Sequence, residues 1–385
     1  MEPPSIEKNY LDKIKTLELK NKFLENENQL QKDYINSLKE QIDLLKEKIS
    51  NLEKKSNIVN TPSNIINTHL PYTLSPEFQI SEAEPIHFLS KNHSQSIYCI
   101  TLLKNKRLVS GSQDSKIIVY DKNYIKPDLE IIEHTNAVTS LIVSSNGNLI
   151  SSSSDKTIKI FKIEEINNKN NISLKYYLLQ TINTTHSNHI IHVREINSYK
   201  LASCSMDTQI NFYLPQNSLY SLESTINVSS SVFNILEVLD NKLVLALSEE
   251  LKLFDIKTRA FTKELKDVKC YPDWVNDNLC LLKDNYLSIC GKGFIYIVDL
   301  IQFKTVNKLN TKSDNICLLF LNNILFAGSN NGIIQEFIVK DFSLIKISYK
   351  EKCHQSHIWQ IIKDEEGNLI SCSSDNYIKV WNKNN

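Results

Sequence analysis

The sequence predicts an all-β fold, a seven-bladed β-propeller, preceded by a long N-terminal coiled-coil α-helix. Two observations lead to this fold class: an apolar heptad pattern over residues 5–55 and a repeated unit of short strands from about residue 78. "SSSSDKTIKIF" at 151–161 returns in the same register as "SCSSDNYIKVW" at 371–381. A unit of four short strands that recurs about every 40–45 residues is typical of a propeller blade.

Residues 5–55 contain no Gly and no Pro, and they carry Leu at most d positions and Ile or Asn at the a positions of a heptad. This pattern favours a parallel two-stranded coiled coil with a fixed register. The charges at the e and g positions complement themselves, so we expect a homodimer. A heteromeric coil and a solvated single helix are the alternatives.

Residues 56–77 carry Pro62, Pro71 and Pro76 and show no periodicity. This composition predicts a flexible linker between the coiled coil and the propeller, which we expect over residues 78–385. The longer stretch "KIEEINNKNNISLKYY", which starts at Lys162, is predicted to project from the propeller as a loop.

Four segments share one spacing frame. In each, a His precedes an Asp by 21 residues, a Ser stands four residues before the Asp, and an aromatic residue stands six after it. The four sets are His93, Ser110, Asp114 and Tyr120; His134, Ser151, Asp155 and Phe161; His186, Ser203, Asp207 and Tyr213; and His354, Ser371, Asp375 and Trp381. Weaker copies near Leu243, Tyr286 and Ile324 bring the number to seven, but the sequence leaves the boundaries of blades four to six open.

This pattern resembles the WD-repeat family of propellers over residues 85–382. The resemblance implies that the four residues of each set form a hydrogen-bonded tetrad inside a blade, and only the last repeat, with Trp381, has the full set. Phe161 has no polar group, so the network of its blade should end at Ser151. The resemblance also implies that the strand at residues 85–90, "PIHFLS", completes the last blade and closes the ring.

The sequence shows no catalytic or metal-binding constellation outside the repeat. His186, His189 and His192 stand three residues apart, but a strand would turn them in different directions, so we predict no metal site. The "GKG" at 291–293 is interpreted as a hairpin turn. We therefore predict no enzyme activity, no catalytic residue and no cofactor.

Composition narrows the possible partners and the compartment. The chain has 385 residues with 44 basic and 44 acidic side chains, which argues against nucleic acid as a partner. It begins without the apolar segment of a secretory signal, and no apolar run is long enough to span a membrane. The eight cysteines are scattered, as expected for reduced thiols in a cytoplasmic protein.

The WD-repeat resemblance implies that protein partners dock on the top face of the propeller. The family positions lie three and five residues after each tetrad His and one residue before each tetrad Asp. Carried over to this chain, the predicted partner-binding residues are Tyr98, Gln113, His189, Ile191, Met206, His357 and Trp359. Trp274, at the entry to the fifth repeat, is added to them, although the sequence does not fix its register. We expect Trp359 to be exposed and leave open whether Ile191 and Met206 point inward.

These features predict a non-enzymatic scaffold or adaptor that is dimerised by its coiled coil and binds peptide segments of partner proteins. Two alternatives are kept. One is a subunit that resembles the G-protein beta subunit and pairs with a gamma-like helix, and the other is a substrate adaptor of a ubiquitin ligase. The sequence names neither the partner nor the pathway nor any organelle.

Overall fold

A computed structural model of the chain describes residues 85–381 apart from 91, 169–170, 197–199, 217–218, 240, 267, 269–276, 283–284, 341–342 and 351–352. These residues form 28 β-strands arranged in seven four-stranded antiparallel sheets. The predicted all-β seven-bladed propeller is thereby confirmed. The predicted coiled coil at 5–55 and linker at 56–77 lie outside the described residues.

Each sheet is one blade, and in six of the seven blades the strands follow one another in sequence from the centre of the ring outward. Blades 1 to 3 consist of β2 (Ile97–Leu102), β3 (Leu108–Ser112), β4 (Ile117–Tyr120) and β5 (Pro127–Ile131); β6 (Val138–Val143), β7 (Leu149–Ser153), β8 (Thr157–Asn168) and β9 (Asn171–Asn183); and β10 (Ile190–Ile196), β11 (Lys200–Ser205), β12 (Gln209–Gln216) and β13 (Leu219–Asn227).

Blades 4 to 6 repeat this order. They consist of β14 (Val232–Val238), β15 (Lys242–Leu247), β16 (Leu251–Asp255) and β17 (Ala260–Leu265); β18 (Leu279–Leu281), β19 (Tyr286–Gly291), β20 (Phe294–Asp299) and β21 (Lys304–Asn310); and β22 (Asn315–Leu321), β23 (Ile324–Ser329), β24 (Ile334–Lys340) and β25 (Ser343–Lys350).

Blade 7 is built from both ends of the described chain. It contains β26 (Ile358–Lys363), β27 (Leu369–Ser373) and β28 (Tyr377–Trp381), and its outermost strand is β1 (Pro85–Ser90). Pro85 pairs with Trp381 and Ser90 with Tyr377 in an antiparallel ladder. This pairing closes the ring through backbone hydrogen bonds, so blade 7 has four strands like the others.

The structure settles the register of blades 4 to 6, which lack the His–Asp frame. The tetrad Ser371 pairs with Ile361, and the equivalent pairs in blades 4 to 6 place apolar residues where Ser371 stands. These residues are Leu245, Ile289 and Ala327. All three are fully buried in the apolar cores of neighbouring blades. Blades 4 to 6 are therefore joined by apolar packing where the other blades use hydrogen bonds.

The prediction of a loop that starts at Lys162 is wrong, because these residues continue β8 and β9 as a long hairpin. Two contacts hold the extension against the preceding blade. Oε1 of Glu165 lies 3.0 Å from Nε of the buried Arg107, and the hydroxyl of Tyr176 donates to Glu133 at 3.1 Å. These contacts provide partners for the charged and polar residues of the extension, so strand pairing continues past Phe161.

Two cysteine–glycine pairs on inner strands repeat the same packing. Cys99 pairs with Gly111 at the blade 1–2 boundary, and Cys317 pairs with Gly328 at the blade 6–7 boundary. A Cβ atom on Gly328 would lie 2.7 Å from Sγ of Cys317 and 2.8 Å from Cγ2 of Ile358. Only glycine therefore fits opposite these buried thiols, whose pKa is raised by burial.

Candidate partner-binding site on the top face

The four tetrad blades share one hydrogen-bond pattern. In each, Nδ1 of the His lies 2.8–3.0 Å from a carboxylate oxygen of the Asp, and Nε2 lies 2.7–2.9 Å from Oγ of the Ser. The serines are fully buried and the histidines nearly so. The turns that hold these Asp residues mark one side of the ring, which we call the top face.

The hydrogen bonds of blade 7 indicate which nitrogen of the tetrad histidine carries the proton. The ionised carboxylate of Asp375 can only accept, so Nδ1 of the neutral His354 ring donates to it. Nε2 then accepts from the hydroxyl of Ser371, which itself accepts from Nε1 of Trp381 at 2.9 Å. Burial lowers the pKa of His354 and of His186, in agreement with neutral rings.

The tetrad Asp residues of blades 1, 2 and 7 are ionised. Burial opposes ionisation of Asp114, but hydrogen bonds from His93 and from the backbone N–H groups of Ser94 and Lys116 outweigh it and lower the pKa to about 2. Asp155 and Asp375 have lowered pKa values for the same reasons. Each carboxylate thus fixes a loop as well as a histidine ring.

The aromatic member varies among the blades and changes the network. The hydroxyls of Tyr120 and Tyr213 lie 3.1 and 3.3 Å from Oγ of their serines. In blade 2, Phe161 offers no donor, and the described hydrogen bonds of the Ser151 hydroxyl end at His134. Oγ1 of Thr157 extends the network of this blade by donating to Oδ1 of Asp155 at 2.6 Å.

The tetrads position a ring of equivalent residues at the start of the innermost strands. The N–H of Gln113, in the turn of blade 1, donates to the carbonyl of Ser96 just before β2. This bond places the first residues of β2 near the top face. The equivalent strand positions of the seven blades, in order, are held by Tyr98, Thr139, Ile191, Phe233, Asp277, Ile316 and Trp359.

The expectation that Trp359 is exposed is wrong, since only 7% of it is accessible. Its Nε1 donates to Oγ of Ser374 at 2.6 Å. The ring of His357 stacks on it at 5.5 Å and 16°, and the ring of Tyr98 meets it edge-on at 5.3 Å. The side chains that reach solvent at this boundary of blades 7 and 1 are therefore Tyr98 and His357, both partly exposed.

The other predicted partner-binding residues differ in how far they are exposed to solvent. Ile191 is 1% exposed and packs in the core between blades 3 and 4, so it offers no surface to a partner. Met206 and His189 are partly exposed, and Nδ1 of His189 lies 3.1 Å from the carbonyl of Ser154. Gln113 is exposed.

Trp274 lies outside the described residues.

A polar cluster that the sequence did not indicate lies among the innermost strands. Asp277 accepts hydrogen bonds from Arg194 of blade 3 at 2.6 Å and from Gln360 of blade 7 at 2.5 Å, and His192 lies 3.7 Å away. Burial would raise the pKa of Asp277, but the positive charge of Arg194 and these hydrogen bonds lower it. Asp277 occupies the position of Trp359 in blade 5, a relation that only the strand register reveals.

The three histidines at spacing three separate as the strand geometry predicts. His186 belongs to its tetrad, His189 contacts Ser154, and His192 is buried beside Ser140 and Asp277. Among the described residues, no group of three His, Cys, Asp or Glu side chains could hold a metal ion. Within the same part of the chain, no helix has the length and apolar character required to cross a bilayer.

Three segments of the chain match the family described as "WD domain, G-beta repeat", at residues 83–121, 126–162 and 346–382. They contain inner strands of blades 1, 2 and 7, each preceded by all or part of the outer strand of the neighbouring blade. The segments that do not match include the three inner strands of blades 4 to 6, in which an apolar residue stands at the position of the tetrad serine.

Two known proteins are similar to parts of this chain. The WD repeat-containing protein 55 homolog of Dictyostelium discoideum is 32% identical over 69 residues, which cover 18% of this chain and only 17% of that protein. The crystal structure of the WD40 β-propeller domain of Doa1 covers 78% of this chain and 97% of its own, with a TM-score of 0.63 and 17% identity. The described part of this chain is therefore a seven-bladed β-propeller that contains WD40 repeats.

Proposed function

We propose that this chain is a non-enzymatic scaffold or adaptor that binds peptide segments of partner proteins on its top face, at the boundary of blades 7 and 1. WD40 propellers generally mediate protein–protein interactions, which supports the class of function. The observation that carries the location is the aromatic cluster formed by Tyr98, Trp359 and His357.

The cluster has the properties of a binding hot spot. Trp359 is buried and its indole is fixed by Ser374, so the two rings that rest on it are held in defined positions. Partly exposed aromatic rings on a rigid base lose little conformational entropy when a partner covers them. Tyr and Trp are also the residues that most often dominate interface energies.

The polar residues tied to the cluster carry no charge. Ser374 accepts the hydrogen bond of the Trp359 indole, and Gln113 donates to the carbonyl of Ser96, two residues before Tyr98. We therefore propose that the partner segment is recognised by apolar contact and hydrogen bonds more than by charge.

The two rings can be tested without disturbing the buried indole. Tyr98→Ala and His357→Ala, made in the full chain, should lose partners that wild type retains in proximity labelling, because each removes exposed ring area. Tyr349→Ala is the matched control, since Tyr349 is a 49% exposed aromatic residue on the outer strand of blade 6. Retention of every partner by Tyr98→Ala and His357→Ala would show that the site is elsewhere.

Dimerisation through residues 5–55 is the second part of the proposal and rests on the heptad pattern. Two linked propellers would gain avidity on a clustered target. Sedimentation velocity of the purified full chain should give a dimer, and Leu38→Pro with Leu45→Pro should convert it to a monomer. A monomeric wild type would instead favour the heteromeric coil. A cytoplasmic location belongs to the same proposal and is tested by imaging the tagged chain.

A further inference from the structure

The outer edge of blade 2 is unlike the other edges of the ring. Its outermost strand, β9, has 13 residues and is the longest strand in the described part of the chain. Tyr177, Leu178 and Leu179 are 39%, 38% and 39% exposed. We call these three consecutive residues the edge patch.

An edge strand offers hydrogen bonds as well as apolar surface. Alternate N–H and C=O groups of β9 face away from its sheet and can pair with an added strand. The neighbouring edge is partly covered: Nε2 of Gln180 donates to the carbonyl of Tyr220 at 2.6 Å, and the N–H of Tyr220 donates to Oε1 of Gln180 at 2.7 Å. The side chain of Gln180 thus occupies the main-chain groups of β13 that a strand would use.

The charges around the edge patch are unbalanced. Of the carboxylates on this hairpin, Glu164 pairs with Lys162 and Glu165 pairs with Arg107. Lys175 lies over the ring of Tyr177, with Nζ 4.9 Å from the centroid, and Lys159 donates to the hydroxyl of Thr181 at 3.3 Å. Within the described residues, neither Lys159 nor Lys175 forms an ion pair.

These two lysines bracket the edge patch along the strand. Lys175 lies on one side of it, and Lys159, paired across the ladder with Thr181, lies on the other. Lys175 pairs with Glu164 and Thr181 pairs with Lys159, which are five residues apart on β8 because β9 has one extra residue between Leu178 and Gln180. A strand rises about 3.3 Å per residue, so the two positions are about 17 Å apart. Residues five apart point to opposite faces of a strand, so a partner strand that meets both ammonium groups needs carboxylates five residues apart, one on each face.

We propose that β9 accepts an extended segment of a partner protein as a fifth strand of blade 2, and that this segment has aliphatic side chains between two carboxylates. The aliphatic residues cover the edge patch, and the carboxylates meet Lys159 and Lys175. A second copy of this chain is a poor occupant because pairing β9 with itself brings lysines together. A lipid surface is a poor occupant because it has no main chain to pair with the edge.

The test uses the full chain and a fluorescein-labelled peptide, Asp-Thr-Val-Ile-Val-Asp, whose carboxylates are five residues apart, and binding is followed by fluorescence anisotropy. Wild type should bind it saturably, and Lys175→Glu and Leu178→Glu should each weaken binding by about tenfold or more. Ile301→Glu, which changes a 59% exposed residue of blade 5, should bind like wild type. Thermal unfolding of each variant verifies that it is folded. If Leu178→Glu is unfolded, the binding measured with Lys175→Glu still decides the test.

Two further probes separate strand pairing from other modes of binding. A peptide of the same sequence with alternate backbone nitrogens methylated should not bind, because it cannot pair with β9. The peptide with Lys in place of both Asp residues should also fail to bind. Absence of saturable binding by the first peptide, equal binding of the methylated one, or binding unaffected by Lys175→Glu would each overturn the proposal. Co-sedimentation of the chain with phosphatidylserine vesicles, together with no binding of the first peptide, would also overturn the proposal.

Discussion

Arg194 and Asp277 join two blades that are not neighbours. Nη2 of Arg194, on the innermost strand of blade 3, lies 2.6 Å from Oδ1 of Asp277, which stands two residues before β18 of blade 5. Oδ2 of the same carboxylate accepts a hydrogen bond from Gln360 of blade 7. One acidic side chain therefore connects three blades in a fold whose strands otherwise contact mainly adjacent sheets.

Asp277→Asn should destabilise the propeller on the order of 3 kcal/mol, because the change leaves the charge of Arg194 without its counter-ion in a largely buried site. The loss is measured as a shift of the urea unfolding midpoint. Glu264→Gln removes one partner of an exposed ion pair with Lys266 and should leave the midpoint unchanged. Equal midpoints for Asp277→Asn and wild type would mean that the contact contributes nothing to stability.

The loss of stability on replacing a tetrad serine with alanine should depend on the aromatic residue of that tetrad. Ser371→Ala leaves two groups without their partner, Nε1 of Trp381 and Nε2 of His354, whereas Ser151→Ala leaves only Nε2 of His134. Each buried polar group that loses its partner costs about 1–3 kcal/mol, so Ser371→Ala should be the more damaging by about that amount. Unfolding in urea compares the two variants directly, and a larger effect at Ser151 would contradict the assigned networks.

Gly328→Ala should destabilise the chain by about 1–3 kcal/mol through overpacking against Cys317 and Ile358. Adding Cys317→Ala to this variant removes the sulfur that the new methyl group meets, so the double variant should recover part of the loss. Gly367→Ala is the control, since no atom lies within 4 Å of the position that its methyl group would take and only its left-handed backbone opposes the change. Thermal unfolding of the four proteins tests the order, and a double variant less stable than Gly328→Ala would exclude the steric explanation.

Acid should destabilise the propeller in two stages. The pKa of His186 and of His354 is lower in the folded chain than the ordinary value of about 6.5, so the unfolded chain binds protons first as the pH falls below about 6.5. A second loss should begin below about pH 4, where the unfolded chain protonates carboxylates while Asp114 keeps its pKa of about 2. Both stages lower stability as the pH falls.

Urea midpoints measured from pH 8 to pH 3 check both stages. Asp114→Asn should reduce the second stage because one carboxylate with a lowered pKa is removed. A midpoint that rises between pH 7 and pH 5 would contradict the assignment of neutral histidines to the tetrads.

The sequence predicts the fold well wherever polar residues carry the repeat. The spacing of His93, Ser110 and Asp114 reflects a hydrogen-bond geometry that tolerates no shift, so the same spacing recurs in four blades. Blades 4 to 6 use Leu245, Ile289 and Ala327 at the serine position. Many apolar residues satisfy such a position, so the sequence there identifies strands without fixing their register.

The candidate site is harder to predict than the fold. Trp359 lies near the start of the innermost strand of blade 7, but its exposure depends on Ser374, His357 and Tyr98, which contact it. Asp277 has no repeat frame around it, and its partners Arg194 and Gln360 are distant in the chain. Contacts of this kind follow from the assembled ring and leave no local pattern.

The pairing of β1 with β28 has a consequence for how the protein is made. A ribosome releases β1 long before β28, and six blades can form while blade 7 still lacks a strand. During that interval β1 has no sheet to join, a state that invites exchange of the first strand between two growing chains. Synthesis speed and chaperone occupancy at residues 85–90 are therefore expected to set the yield of correctly closed rings.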